Sequence, residues 1–161
     1  MKSSDQVIRK VSDLNLPLGA YFVHFDLSDF YMCGDNGFLA ENSSALIYND
    51  RRAVCRKVAR FLLMHKYVDS GFTSQGLDHV IYKSILGSGQ GLTHSGAIAN
   101  SAFLWSQELH GPKLVARSTK ERHGILFYIR YADNLLFIID SPSRSQPLAQ
   151  FLASSLSAQY K

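Results

Sequence analysis

Long hydrophobic runs are missing from this 161-residue chain. The longest apolar stretches, such as LLFII, are far too short to span a bilayer, so no membrane partner is expected. The opening MKSSDQVIRK is polar and lacks the charged–apolar–small order of a secretory signal. Cysteine is scarce: Cys33 and Cys55 form no CxxC or zinc pattern. A reducing intracellular compartment, cytoplasm or nucleus rather than a secreted state, is the simple reading. The six histidines (His24, His65, His79, His94, His110 and His123) show no metal spacing. Ser95 has no neighbouring His/Asp arrangement of the kind a hydrolase needs. A strong charge of one sign is also absent. Lys plus Arg exceed Asp plus Glu by 17 − 13 = 4, which permits an anionic partner without demanding one.

What is present is a globular composition. Hydrophobic residues make up 46% and charged residues 19%, which argues against disorder. The length suits one domain with a real core, and neither a repeat nor a linker divides it. Residues 1–18 read as a lead-in helix, with Val7, Ile8, Val11 and Leu14 at helical spacing and Pro17 and Gly19 ending it. AYFVHFDLSDFY reads as a buried strand and CGDNG as a turn. Residues 49–68 read as a basic amphipathic helix, with Val54, Val58, Phe61, Leu62 and His65 as its apolar stripe. Arg52, Arg56 and Arg60 form a row on another face, either tracking template phosphates or simply solvated. DHVIYKSIL reads as a strand, GSGQG as a glycine-rich turn, and HSGAIANSAFLWSQELHG as a small-residue helix. GILFYIRYA and LLFIID read as a hairpin over 124–140 with a very short turn at Asp133–Asn134. SPSRSQP is a loop, followed by a last helix over 147–158. This order predicts an α+β fold, with helices on one face of a mostly antiparallel sheet.

Two aspartates sit in apolar sequence. Asp26 lies among Phe22, Phe25, Leu27 and Phe30, and Asp133 lies between two apolar strands. An ionised carboxylate buried in such a setting is costly unless a cation or hydrogen bonds compensate it. If the first strand lies beside the hairpin, the two meet at one end of the sheet as a hard oxygen site suited to Mg²⁺. Two such ions about 4 Å apart would serve a phosphoryl transfer. Taken singly, each aspartate reads better as a structural residue, Asp26 capping a turn and Asp133 making the hairpin turn.

FDLSDFY, GQGLTHSGAIAN and IRYADNLLFI together, in this order, resemble the three central palm motifs of reverse transcriptases of the retroelement type. The second usually carries Gln-Gly followed after three residues by Ser-Pro and then Asn. The third usually reads Tyr-x-Asp-Asp. The resemblance implies a polymerase palm, a ferredoxin-like antiparallel sheet, with the first motif at 19–35 and the second at 87–110. It implies that Asp26 and Asp133 bind Mg²⁺ or Mn²⁺, with the Leu27 carbonyl as a further ligand and Asn134 completing the catalytic set. Backbone amides near Asp29 and Phe30 would face the incoming triphosphate. Tyr31 would lie under the sugar and exclude a 2′-hydroxyl by clash; as a bare residue it is equally a core aromatic. Gln90 and Gly91 would lie against the nascent base pair, and Tyr131 near the primer end. The implied partners are an RNA template, a DNA primer or product and deoxynucleoside triphosphates.

Three departures qualify the likeness. Asn134 stands where the family usually has a second aspartate, and an amide offers one oxygen but no charge. Gly96 replaces the usual proline, so the following helix start is less rigid. The chain also resembles the palm alone, which predicts that fingers and thumb are largely absent and belong to other segments of a longer polypeptide. The expected function is RNA-directed DNA synthesis with two divalent ions. A catalytically decayed palm acting as a nucleic-acid or protein scaffold is the alternative from another class. The SGAIANS stretch, which is similar to a pattern of RNA-dependent RNA polymerases, keeps that activity as a minor third.

Overall fold

The computed structural model describes residues 4–69, 71 and 80–160. In chain order these form α1 (Ser4–Ser12), β1 (Tyr21–Asp26), a 3₁₀ turn (Phe30–Met32), α2 (Asn36–Ser44), α3 (Arg51–Met64), β2 (Tyr67–Asp69) and β3 (Ile81–Lys83). They continue with α4 (Ser95–Phe103), π-wound turns (Leu104–His110), α5 (Arg117–His123), β4 (Ile125–Tyr131) and β5 (Asn134–Ile139). A 3₁₀ turn (Pro142–Arg144), α6 (Ser145–Ser155) and a last 3₁₀ turn (Ala158–Tyr160) complete the order. The fold is α+β with antiparallel sheets, as the sequence predicts.

The larger sheet has the strand order β1–β5–β4, antiparallel throughout. Its central strand is β5, whose Leu135, Phe137, Ile138 and Ile139 are wholly buried. A near-continuous apolar run suits a strand flanked on both edges and packed on its faces. β1 is an edge strand. The reading of it as a buried strand running to Tyr31 is therefore corrected: the strand ends at Asp26, and Tyr21, Phe22, His24 and Asp26 are exposed. Against the core face of the sheet pack Ala99 and Phe103 of α4, Leu148 and Leu152 of α6, and Tyr160. Aromatic edge contacts knit this layer, with Phe25–Phe137 centroids 5.8 Å apart and Phe103–Tyr160 5.0 Å apart.

A second cluster joins α2, α3 and α4 through Leu39, Ala40, Ala59, Leu63, Ile98 and Ala102. The sequence reading missed α2, taking CGDNG for a turn. Asp35 is in fact its N-cap, accepting the Phe38 amide proton at 2.8 Å. The helix over 49–68 is shorter than expected, and its burial differs. Val54, Val58 and Phe61 are more than half exposed, whereas Ala59 and Leu63 are buried. The stripe that packs is Cys55, Ala59, Leu62 and Leu63, about one residue or 100° round the helix from the expected one. Small residues on α2 and α4 let the backbones approach, so a narrow face is enough.

Other boundaries also move. β2 and α5 were not foreseen, and the described strand within DHVIYKSIL covers only Ile81–Lys83. Part of that stretch lies outside the described residues, as do residues 1–3 of the lead-in helix, which ends at Ser12. The last helix starts at Ser145 rather than 147 and ends at Ser155 rather than 158, ahead of the 3₁₀ turn at Ala158–Tyr160. No helix among the described residues is long and apolar enough to cross a membrane.

Candidate active site

The register of the sheet brings the central candidates together. Asp26 pairs with Asn134 across β1–β5, and Asn134 pairs with Tyr131 across the hairpin. One rung, Asp26–Asn134–Tyr131, thus crosses all three strands. Paired residues share a sheet face, so the three side chains leave on the same side. Beyond the rung, the Leu27 amide donates to the Asp133 carbonyl at 3.0 Å, tying the end of β1 to the turn. The turn residues are Ala132 and Asp133, and Asn134 is already the first residue of β5, a correction of one position. Ala132 has φ of 52°, while Asp133 is not left-handed. Positive φ at the first central residue alone is the pattern of a type II′ turn, where glycine is usual. An alanine held there stores about 1–2 kcal/mol of strain.

The surroundings of the carboxylates differ from the expectation. Asp26 is exposed and Asp133 half-buried, so desolvation does not force a cation on Asp26. The Asp26 carboxylate makes no hydrogen bond or ion pair with the described residues. Asp133 Oδ1 accepts a hydrogen bond from Asn134 Nδ2 at 2.8 Å. Asn134 Oδ1 in turn lies 2.7 Å from His24 Nε2, two residues before Asp26 on the same strand face. The Asn134 oxygen is therefore already engaged, and the amide serves to orient Asp133. No cluster of three or more His, Cys, Asp or Glu stands ready for a metal among the described residues. Two carboxylates at one sheet end nonetheless suit Mg²⁺ chemically, since that ion takes one or two carboxylates and fills its shell with water and phosphate oxygens.

The second and first candidate segments are bonded to each other. The Tyr31 carbonyl accepts the amides of Ser88 at 2.7 Å and Gly89 at 3.2 Å, and Gly87 donates to the Gly34 carbonyl at 2.8 Å. Gly87 has φ of 67°, and a Cβ there would collide with the backbone of Tyr31 and Met32. Only glycine permits that approach. Gln90 and Gly91 are exposed, with open space where a Gly91 side chain would be. Asp29 takes a left-handed φ of 51°, Phe30 is buried, and Tyr31 is half-buried with its ring edge-on to Phe30 at 5.3 Å. Tyr31 thus packs against the core and borders the surface at once. Leu27 is buried as well, and Tyr131 is 61% exposed.

Arg52, Arg56 and Arg60 lie on α3, which packs with α2 and α4. Arg52 and Arg56 both reach Glu41 of α2, at 3.1 and 2.9 Å. The hydrogen bond from Arg56, with the charges of both arginines, holds the Glu41 carboxyl below its ordinary range.

Two buried cations escaped the sequence reading. Lys66 is buried, and its ammonium donates to Asn36 Oδ1, the Leu86 carbonyl and the Gly87 carbonyl. It straps the GSGQG loop to α2, and burial pushes its pKa down. Arg130 on the core face of β4 meets Glu108 at 3.1 Å, with both side chains under 10% exposed. Tyr128 donates to the same carboxylate, and burial first, then the Glu108 charge, drives its phenol well up. The signal in the sequence was alternation: Tyr128 and Arg130 are polar tips on the face that should be apolar.

No family model and no curated protein matches this chain. A solved structure of apo telomerase from Candida tropicalis, truncated from the C-terminal domain, is similar in fold, with a TM-score of 0.65 at 14% identity. The match covers 96% of this chain and 32% of that one, so the chain spans about a third of the telomerase it resembles. At that identity the likeness is one of fold.

Proposed function

We propose that this chain is the palm of an RNA-directed DNA polymerase, with Asp26 and Asp133 as its metal-binding carboxylates. The observation that carries the reading is the rung Asp26–Asn134–Tyr131 with Asp133 at its turn. It assembles at one sheet end residues drawn from the first and third sequence motifs, and the second motif is bonded to the first through Tyr31. The palm fold, similar to part of a telomerase, supports it. Divalent ions, when bound, would activate the primer hydroxyl and stabilise the leaving oxygen. The protein's part is positional. Asp26, which has no partner among the described residues, is free to bind; Asn134 steadies Asp133. The exposed Gln90–Gly91 backbone borders the space for the nascent pair, and Tyr31 limits the room at the sugar. Product duplex would be held by backbone and shape, through RNA template and DNA primer contacts that include Tyr131.

The test is primer extension on an RNA template with Mg²⁺ or Mn²⁺, comparing wild type, Asp26→Ala and Asn134→Asp. Extension that vanishes in Asp26→Ala is the expected result. Extension surviving in Asp26→Ala would exclude the assignment. A second reading, a decayed palm that binds nucleic acid without chemistry, draws on the Asn134 oxygen's bond to His24. It requires nucleic-acid binding that is indifferent to Asp26→Ala and to metal.

A further inference from the structure

We infer that Arg130 is a positioning residue that sets the place of Asp133 through the backbone of the hairpin turn. Its importance for catalysis rests on the function proposed above, but the placement itself does not. The Arg130 side chain is 9% exposed, and its guanidinium reaches the turn. Its Nε donates to Glu108 at 3.1 Å. Its Nη1 donates to Asn100 Oδ1 and, at 2.8 Å, to the carbonyl of Ala132, while Nη2 donates to the Asn100 carbonyl at 3.2 Å. The plane lies over Phe103 at 4.8 Å and near Phe30 at 5.8 Å.

Each bond does a separate task. Glu108 and the two rings fix the guanidinium against α4 and the π-wound turns, because a planar fork with several donors cannot tilt without losing partners. The fork then holds the Ala132 oxygen. That oxygen lies in the same rigid peptide plane as the Asp133 nitrogen and Cα. Anchoring it therefore orients the residue that carries the carboxylate. It also holds Ala132 in its left-handed conformation, which alanine does not choose unaided. A leucine at this position would pack as well but would leave the turn free to flip.

A carboxylate left alone in the core can prevent folding, so the main variant is Arg130→Met combined with Glu108→Gln. Arg130→Lys is the second: it keeps a charge for Glu108 but lacks the fork that also reaches Ala132. The reporter is hydrogen exchange at the Leu27 amide, which donates to the Asp133 carbonyl. Phe137, in the middle of β5, is the internal reference. The expected result in both variants is a Leu27 amide exchanging about tenfold faster relative to Phe137 than in wild type. A merely structural loss would speed both amides alike. An unchanged Leu27-to-Phe137 ratio overturns the inference. Mn²⁺ titration of wild type and Asp133→Asn runs alongside. If Leu27 responds and wild type takes up no Mn²⁺, the positioning stands and the polymerase reading falls. If Mn²⁺ binds in wild type and weakens in both Arg130 variants, both stand.

Discussion

Asp26 faces Asn134 directly across the β1–β5 ladder, and the oxygen of that asparagine is taken by His24 at 2.7 Å. The site as folded thus has two carboxylates and one committed amide. Asn134→Asp would add a negative charge beside Asp133 and opposite Asp26. Without metal this should cost about 1 kcal/mol of stability by like-charge repulsion. With metal the extra hard oxygen should tighten Mn²⁺ binding by about tenfold. Urea unfolding and Mn²⁺ titration of the same variant must move in opposite directions. A variant that loses stability without gaining affinity would mean that the rung does not hold metal.

Tyr31 should act as a steric filter. Tyr31→Ala removes a half-buried ring that borders the surface, so on the proposed function discrimination between deoxynucleotides and ribonucleotides should fall by at least about tenfold. Single-nucleotide incorporation with each substrate reads this. A ratio equal to wild type would return Tyr31 to a purely packing role.

Gly87 should tolerate no side chain. Its positive φ and the closeness of the Tyr31 and Met32 backbone leave a methyl group nowhere to go. Gly87→Ala should cost about 1–3 kcal/mol. Gly91→Ala, also at positive φ but facing open space, should cost less. Thermal unfolding of the two variants side by side tests the order.

The orientation of α3 can be checked by two truncations. Leu63→Ala should cost about 2–5 kcal/mol by leaving a cavity between α2 and α4. Val58→Ala, at 51% exposure, should stay within about 0.5 kcal/mol. Comparable costs would restore the orientation expected from the sequence.

His123 should give the stability a pH dependence near neutrality. Its ring stacks on Phe151 at 4.2 Å, and its Nε2 is buried without a partner. Burial, then the charges of Arg122 and Arg144, hold its pKa below the ordinary 6.5. Between those two values the unfolded chain binds the extra proton, so stability climbs with pH through that window and is complete above it. Below the folded pKa the stabilisation is lost. Unfolding midpoints between about pH 5 and 8 should show this rise, and His123→Gln should flatten it.

The amino-acid sequence by itself determined the two-strand hairpin, the helix after Ser95 and the α+β class. Each rests on local periodicity and turn chemistry, which neighbours in the chain decide. Ordered motifs also singled out Asp26, Asp133 and Asn134, and the strand register is what brings them to one sheet end. Only the tertiary structure decided the rest. The exposure of Asp26 depends on β1 being an edge strand, and strand order is not written in any one segment. The packing face of α3 turned by about 100° because α2, unforeseen, supplied a partner of small residues. Arg130 lies 22 residues from Glu108 and 30 from Asn100, and meets them only when α4 and the turns after it pack on the sheet. Arg130 left one local trace, a charged tip on the apolar face of its strand, but its partners come from distant segments, so the turn's anchor could be identified only once the chain had folded.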